Sequence, residues 1–333
     1  MKTNLRRLLA SMLLGVCIYG AFAVYSGLGK IGDSLAHFHA LAFVLACALA
    51  FSNYMIRFLK WEFYLARLGI RGVKKTDSFL TFLSGFVLTV TPGKIGEVFK
   101  SFILAETHGV PMTQTAPIVV AERATDVIGI VVLIVIGSLS FSGGLVWAGV
   151  GAALVVVLLA IVANRRLSLA LIATVGRLPG RIGKLAPKLN AAYGSLATML
   201  HPRNLIVPSV LSSAAWLLEC LALWGILHGF GLPISVTRAM FFYATGTLAG
   251  AIVPTPGGLG VTEGLLMAQM TELSHVDNGI ATAAMILVRF ATLWFAVVVG
   301  FVALSLMKRR YPGLLAKDAE PAKTTAETET EIA

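Results

Sequence analysis

Two carboxylate–arginine pairs offer the most specific chemistry in this chain: Glu97 with Arg123, and Glu263 with Arg289. Each glutamate precedes its arginine by 26 positions, and each arginine stands roughly 10 residues into an apolar run. At 1.5 Å of helical rise per residue that depth is ~15 Å, close to the middle of a ~30 Å hydrocarbon core. An ionisable group at such depth costs several kcal/mol unless it is paired or hydrated, so its presence points to function. The guanidinium fork suits phosphate and carboxylate bidentately. From the residues alone two readings stay open. In one, Arg123 and Arg289 hold an anionic headgroup; in the other, each pair is a structural tie between neighbouring segments.

Both glutamates close a Pro-Gly break inside an apolar stretch. The first break contains Thr91, Pro92, Gly93, Lys94, Ile95 and Gly96 before Glu97. The second contains Pro254, Thr255, Pro256, Gly257, Gly258, Leu259 and Gly260 before Glu263. Such a break gives up backbone hydrogen bonds that lipid cannot replace, so it persists only where protein or a polar cavity surrounds it. Where a helix restarts after the break, backbone N–H groups and a partial positive charge make an anion site. The structural alternative is a kink packed by small residues. Lys94 and Lys100 offer charge for a phosphate, or else snorkel to the interface. Glu122 and Asp126 share neighbouring helix faces with Arg123 and balance its charge; alternatively Asp126 or Glu219 relays protons. The candidate binding set is therefore Thr91, Pro92, Gly93, Lys94, Gly96, Glu97, Glu122, Arg123, Asp126, Thr255, Pro256, Gly257, Gly258, Gly260, Glu263 and Arg289.

The elements that position these residues follow from composition. The 333 residues are 57% hydrophobic and only 13% charged, where a soluble domain carries roughly twice that charged fraction. The chain is predicted to be an all-α polytopic membrane protein. Apolar runs at 8–28, 38–59, 114–137, 145–163, 205–227 and 278–307 make about six full spans of ~20 residues. The pieces 78–90, 95–108, 239–253 and 258–273 are too short to cross, and pair into two re-entrant helical hairpins. The first span is expected to stay uncleaved, although Ala21-Phe22-Ala23 resembles a processing site. The net charge of +11 sits in loops beside spans, which argues for topology signals and anionic lipid rather than nucleic acid. Those loops place both termini in the cytoplasm, with residues 164–204 as a cytoplasmic amphipathic linker and 311–333 as a disordered tail.

Units 38–138 and 205–307 each read as span, hairpin, span. Three full spans separate their starts, so the repeat is inverted, an arrangement that in transporters places the substrate near the midplane between broken helices. Cys17, Cys47 and Cys220 lie unpaired in apolar runs, and the scattered histidines form no metal motif. No cofactor, metal or catalytic set is expected.

The segments 91–97, Glu122-Arg123-Ala124-Thr125-Asp126 and 254–260 closely resemble the flippase-like membrane domain of lysylphosphatidylglycerol synthases and its stand-alone relatives, over about residues 8–307. The resemblance implies a helical domain of the cytoplasmic membrane that moves a phosphate-containing lipid between leaflets. Only about 25 residues follow the last span, so no aminoacyl-transferase domain and no lipid aminoacylation are expected. Members of that family differ in lipid, from aminoacylated phosphatidylglycerol to polyprenyl-phosphate sugars, so no substrate carries over. Two rival classes remain: an intramembrane enzyme acting on a lipid phosphate, with Glu97, Glu122 and Asp126 as its only metal candidates, and a non-transporting scaffold for an envelope-lipid enzyme. Oligomeric state is left open.

Overall fold

Long apolar runs fold as helices because lipid leaves their backbone groups no other partner. The computed structural model of the chain describes residues 2–90, 97–139, 141, 146, 149–153, 186–253 and 255–315. Among these there are twelve α-helices and no strand. They are α1 (Lys2–Ser26), α2 (Leu28–Ala36), α3 (Ala40–Arg67), α4 (Lys75–Ser84), α5 (Phe99–His108), α6 (Met112–Ser138), α7 (Ala186–Met199), α8 (Pro202–Gly229), α9 (Val236–Ile252), α10 (Val261–Ser274), α11 (Asn278–Arg289) and α12 (Phe295–Arg310). A 3-10 turn, Gly85–Leu88, extends α4, and a π-helical turn, Phe290–Trp294, joins α11 to α12.

Three of these segments are long and apolar enough to cross a membrane: Ala40–Arg67, Arg203–Gly229 and Asn278–Arg310. The protein is therefore an all-helical, membrane-embedded chain. Helix α6 has the length of a span at 27 residues but carries Glu122, Arg123 and Asp126 in its middle. Most of the expected span 145–163, the expected linker residues 164–185 and the tail 316–333 lie outside the described residues.

Local signals set the helix ends. Asp277 and Ser235 accept N-terminal backbone N–H groups of α11 and α9, which satisfies donors the helix itself cannot. Gly109, in the left-handed region, closes α5, and Pro111 opens α6. One boundary departs from expectation. The second span does not stop at residue 59 among cytoplasmic cations; α3 runs on to Arg67, with Lys60, Trp61 and Tyr64 fully buried. The described end of the expected linker, α7, packs against α6 and buries Met199 completely.

Two apolar cores flank a polar middle. One gathers Tyr54, Trp61, Phe82, Leu104, Ile118 and Met307; the other gathers Trp216, Leu223, Phe242, Met270, Met285 and Val288. Helix α3 lies along α8. Helix α9 packs on α6, and α4 with its 3-10 turn packs on α12. Both of these last contacts are backbone-close at a glycine. A Cβ on Gly137 would stand 2.7 Å from the Phe241 nitrogen, and one on Gly300 would stand 2.6 Å from the Val87 nitrogen. Only a residue without a side chain lets the helices approach so far.

Candidate functional site

The second break is built by glycines. Gly257, Gly258 and Gly260 have φ of 63°, 74° and 87°, values that carry no steric penalty only for glycine. They turn the chain out of α9 and into α10. The α10 N-terminus is then closed from within: a Glu263 carboxylate oxygen accepts the Gly260 N–H at 2.7 Å. The other oxygen accepts Arg289 Nε at 2.6 Å, and Arg289 Nη2 donates to the Gly257 carbonyl at 2.8 Å. The pair is buried, with Glu263 wholly enclosed. Tyr19 of α1 lies 3.5 Å from Glu263 and accepts from Trp294 Nε1. The π-helical turn starts at the residue after Arg289.

This geometry corrects one expectation. Gly258 and Gly260 do not present their N–H groups outward, because Gly258 donates to the Thr255 carbonyl and Gly260 to Glu263. Thr255 and Pro256 shape the turn into the 3-10 segment Pro256–Gly258. Of the first break, Thr91, Pro92, Gly93, Lys94 and Gly96 lie outside the described residues.

The first pair also forms, in a different setting. Arg123 Nη2 stands 3.0 Å from Glu97 and 3.0 Å from Asp126. Asp126 is the hub of this cluster. Lys60 Nζ donates to it at 2.6 Å, Ser212 Oγ at 2.9 Å, and Arg57 Nη2 approaches its second oxygen at 3.6 Å. Lys60 also donates to Ser212 Oγ at 2.8 Å, which links α3, α6 and α8. Beside it, Lys100 pairs with Glu122 and stands 4.7 Å over the Trp61 ring. Neutralising Asp126 or Glu122 would leave buried cations without a counter-charge, a loss of ~3–5 kcal/mol.

The two clusters meet at a cavity of about 70 Å³, whose wall includes Arg57, Glu97, Glu219 and Arg289 together with Gly257 and Gly258. A void needs roughly 10–15 Å³ on this measure for one water, so this one admits a small polar group. Tyr243 donates to Glu219 at 2.7 Å on the same wall. Arg123 is not part of the wall; it stands behind Glu97. Thus the structure brings Arg289, Glu97, Gly257 and Gly258 to one space and leaves Arg123, Glu122, Asp126, Gly260 and Glu263 as their support.

The candidate set drawn from sequence omits Arg57, near the end of the expected span 38–59, and Lys60, just beyond it. The available signal was their continuation into Trp61 and Phe63-Tyr64-Leu65, an apolar run no loop requires. Among the described residues, no three His, Cys, Asp or Glu side chains gather as a metal site.

Comparison with known proteins agrees with this architecture. The family model described as the lysylphosphatidylglycerol synthase TM region matches residues 12–300. A UPF0104 membrane protein of Methanothermobacter thermautotrophicus is 23% identical over 317 residues, covering 88% of this chain and 93% of its own. A UPF0104 membrane protein of Methanocaldococcus jannaschii is 24% identical over 236 residues, covering 67% of this chain and 95% of its own.

Proposed function

The chain belongs to the lysylphosphatidylglycerol synthase transmembrane-region family, and from that premise we propose that it carries a lipid with a phosphate-containing headgroup between the leaflets of the cytoplasmic membrane. One observation carries the proposal: Arg289 and the break residues Gly257 and Gly258 line the same cavity as Arg57, Glu97 and Glu219. A guanidinium in a low-dielectric space holds phosphate strongly, and acyl chains need no protein site because they stay in lipid. Glu263 aims Arg289 at the cavity. Arg123 holds Glu97 and is itself held by Asp126.

Alternating exposure of the cavity would come from two inverted units, 38–138 and 205–307. The exchange of partners between them supports this: α9 of the second unit packs on α6 of the first, and α4 of the first packs on α12 of the second. The π-helical turn beside Arg289 supports it as well, because such turns mark places where a helix departs from regular bonding at functional sites. Under this proposal both termini face the cytoplasm, and transport requires no chemical change in the lipid.

The test is translocation in proteoliposomes containing phosphatidylglycerol labelled on one acyl chain, read by dithionite quenching from outside. The full chain should move inner-leaflet label outward. Arg289→Gln, checked for folding by gel filtration and melting, should slow it at least tenfold, about 1.4 kcal/mol in barrier. Equal rates with and without protein would overturn the proposal. Conversion of the lipid into a new species on mass spectrometry would replace transport with an enzymatic role.

A further inference from the structure

Of the two cavity arginines, Arg57 is the freer to change partner. We propose that Arg57 is a headgroup-binding residue held in reserve by Asp126, and that a phosphodiester entering the cavity takes Arg57 from that carboxylate. The proposal rests on the transport reading above and assigns the residue through which the headgroup is recognised.

Distances decide the order of attachment. Three cations share Asp126: Lys60 at 2.6 Å, Arg123 at 3.0 Å and Arg57 at 3.6 Å. Coulomb attraction falls with separation, so Arg57 is the most weakly held. Among the described residues its buried Nε finds no hydrogen-bond partner, leaving a donor of the fork unused. Arg57 is also the one of these three cations on the cavity wall.

The exchange strands no charge. When Arg57 turns to a phosphate, Asp126 keeps Lys60, Arg123 and the Ser212 hydroxyl. Arg289 is placed differently. Its departure would separate it from the fully enclosed Glu263 and from the Gly257 carbonyl, which breaks a buried pair at high cost. Arg289 is therefore a fixed ligand and Arg57 a mobile one. Thr89 adds a second donor on the same wall, its hydroxyl buried with no hydrogen-bond partner.

Charge on the wall narrows the ligand. Among the described residues Glu97 and Glu219 share the wall with Arg57 and Arg289, so this lining carries as many carboxylates as guanidiniums. A phosphodiester brings one negative charge into this balanced space. A free phosphate dianion brings two, at greater cost in a medium of low dielectric. The site thus selects a phosphodiester headgroup over free phosphate, although both offer oxygens of the same chemistry.

The experiment follows tryptophan fluorescence of the full chain in detergent, where Trp216 on the cavity wall reports occupancy. The probes are dihexanoyl phosphatidylglycerol and, separately, inorganic phosphate at matched ionic strength. Wild type should bind the short-chain lipid at least about tenfold more tightly than phosphate. Arg57→Gln should weaken lipid binding about tenfold or more, the scale of a lost charge-assisted hydrogen bond. It should also melt close to wild type, because Asp126 remains paired. Arg57→Lys should recover part of the loss, restoring charge without the fork. Lipid binding and translocation unchanged in Arg57→Gln, with wild type active, would overturn this inference and leave the transport reading standing. Equal or tighter binding of inorganic phosphate would overturn the phosphodiester selection. Wild type that neither binds the lipid nor translocates it would overturn both.

Discussion

Arg289 and Glu263 form a buried pair in which neither charge is spare. The guanidinium spans from the Glu263 carboxylate at 2.6 Å to the Gly257 carbonyl at 2.8 Å. The same carboxylate caps the helix that begins after the break. A single arginine on α11 therefore fixes the path of the chain across the interruption between α9 and α10. It also lines the cavity, so under the proposed function binding and architecture share one side chain. Of the two roles weighed from sequence, the structural tie is the one the geometry shows at this position.

Neutralising either partner should show both roles at once. Glu263→Gln retains an oxygen for the Gly260 N–H but leaves Arg289 without its counter-charge inside protein. We expect a loss of ~3–5 kcal/mol, the scale for breaking a buried pair, read as a lower melting temperature in detergent. Combining Glu263→Gln with Arg289→Met should recover a large share of that stability, because no unpaired charge remains, yet translocation should stay lost. A double variant that transports would separate Arg289 from the headgroup.

Asp126 makes the corresponding prediction for the first unit. It faces three cations, so Asp126→Asn should be among the most damaging charge neutralisations in α6, again ~3–5 kcal/mol. The Lys75–Glu62 pair is the contrast: the Lys75 side chain is 79% exposed, and Lys75→Ala should change stability by no more than ~1 kcal/mol. Melting curves of both variants in one detergent decide it. Comparable losses would mean that burial does not rank these pairs.

The equal spacing of the two glutamate–arginine pairs was legible because a repeated interval in apolar surroundings leaves few other partners. Both pairs form. Arg57 and Lys60 were not legible for the opposite reason. The partner they share, Asp126, lies 66 positions beyond Lys60, and a hydropathy window sees only a cation ending an apolar run. Lys100 was misplaced in the same way. A lysine flanking a break normally snorkels, but Glu122 and the Trp61 ring enclose this one. The Pro-Gly signal located the second break correctly, while the internal capping by Glu263 depends on the fold bringing its carboxylate back to Gly260.

Glycine contacts test the exchange of partners between units. Gly137 and Gly300 sit where a Cβ would meet backbone atoms of α9 and of the turn after α4. Gly137→Ala and Gly300→Ala should each cost ~1–3 kcal/mol through overpacking. Gly225 in α8 is different: a Cβ there would meet nothing within 4 Å. Gly225→Ala should therefore be neutral or gain up to ~1 kcal/mol from helix propensity. If Gly300→Ala melted with Gly225→Ala, the close approach of α12 to the 3-10 turn after α4 would be wrong.

Asp77 ties three separate segments: the start of α4, the end of α5 and the end of α12. It lies in the first turn of α4, almost fully buried. Tyr311 donates its hydroxyl to Oδ2 at 2.9 Å, Arg310 Nε stands 3.1 Å from Oδ1, and His108 at the end of α5 is 4.0 Å from Oδ2. Arg310 is 43% exposed, so solvent screens its share to ~1 kcal/mol or less. The buried carboxylate accepting from Tyr311 should matter more, and Asp77→Ala should cost ~1–3 kcal/mol. The loss should be local in its dynamics. Amide exchange followed by mass spectrometry should rise in Lys75–Ser84 and around Tyr311, where the tie is cut, and stay unchanged in α9 and α10. Exchange that rose evenly across the chain would mean that Asp77 supports global stability instead. Unchanged exchange at Tyr311 would remove the tie between the last helix and α4.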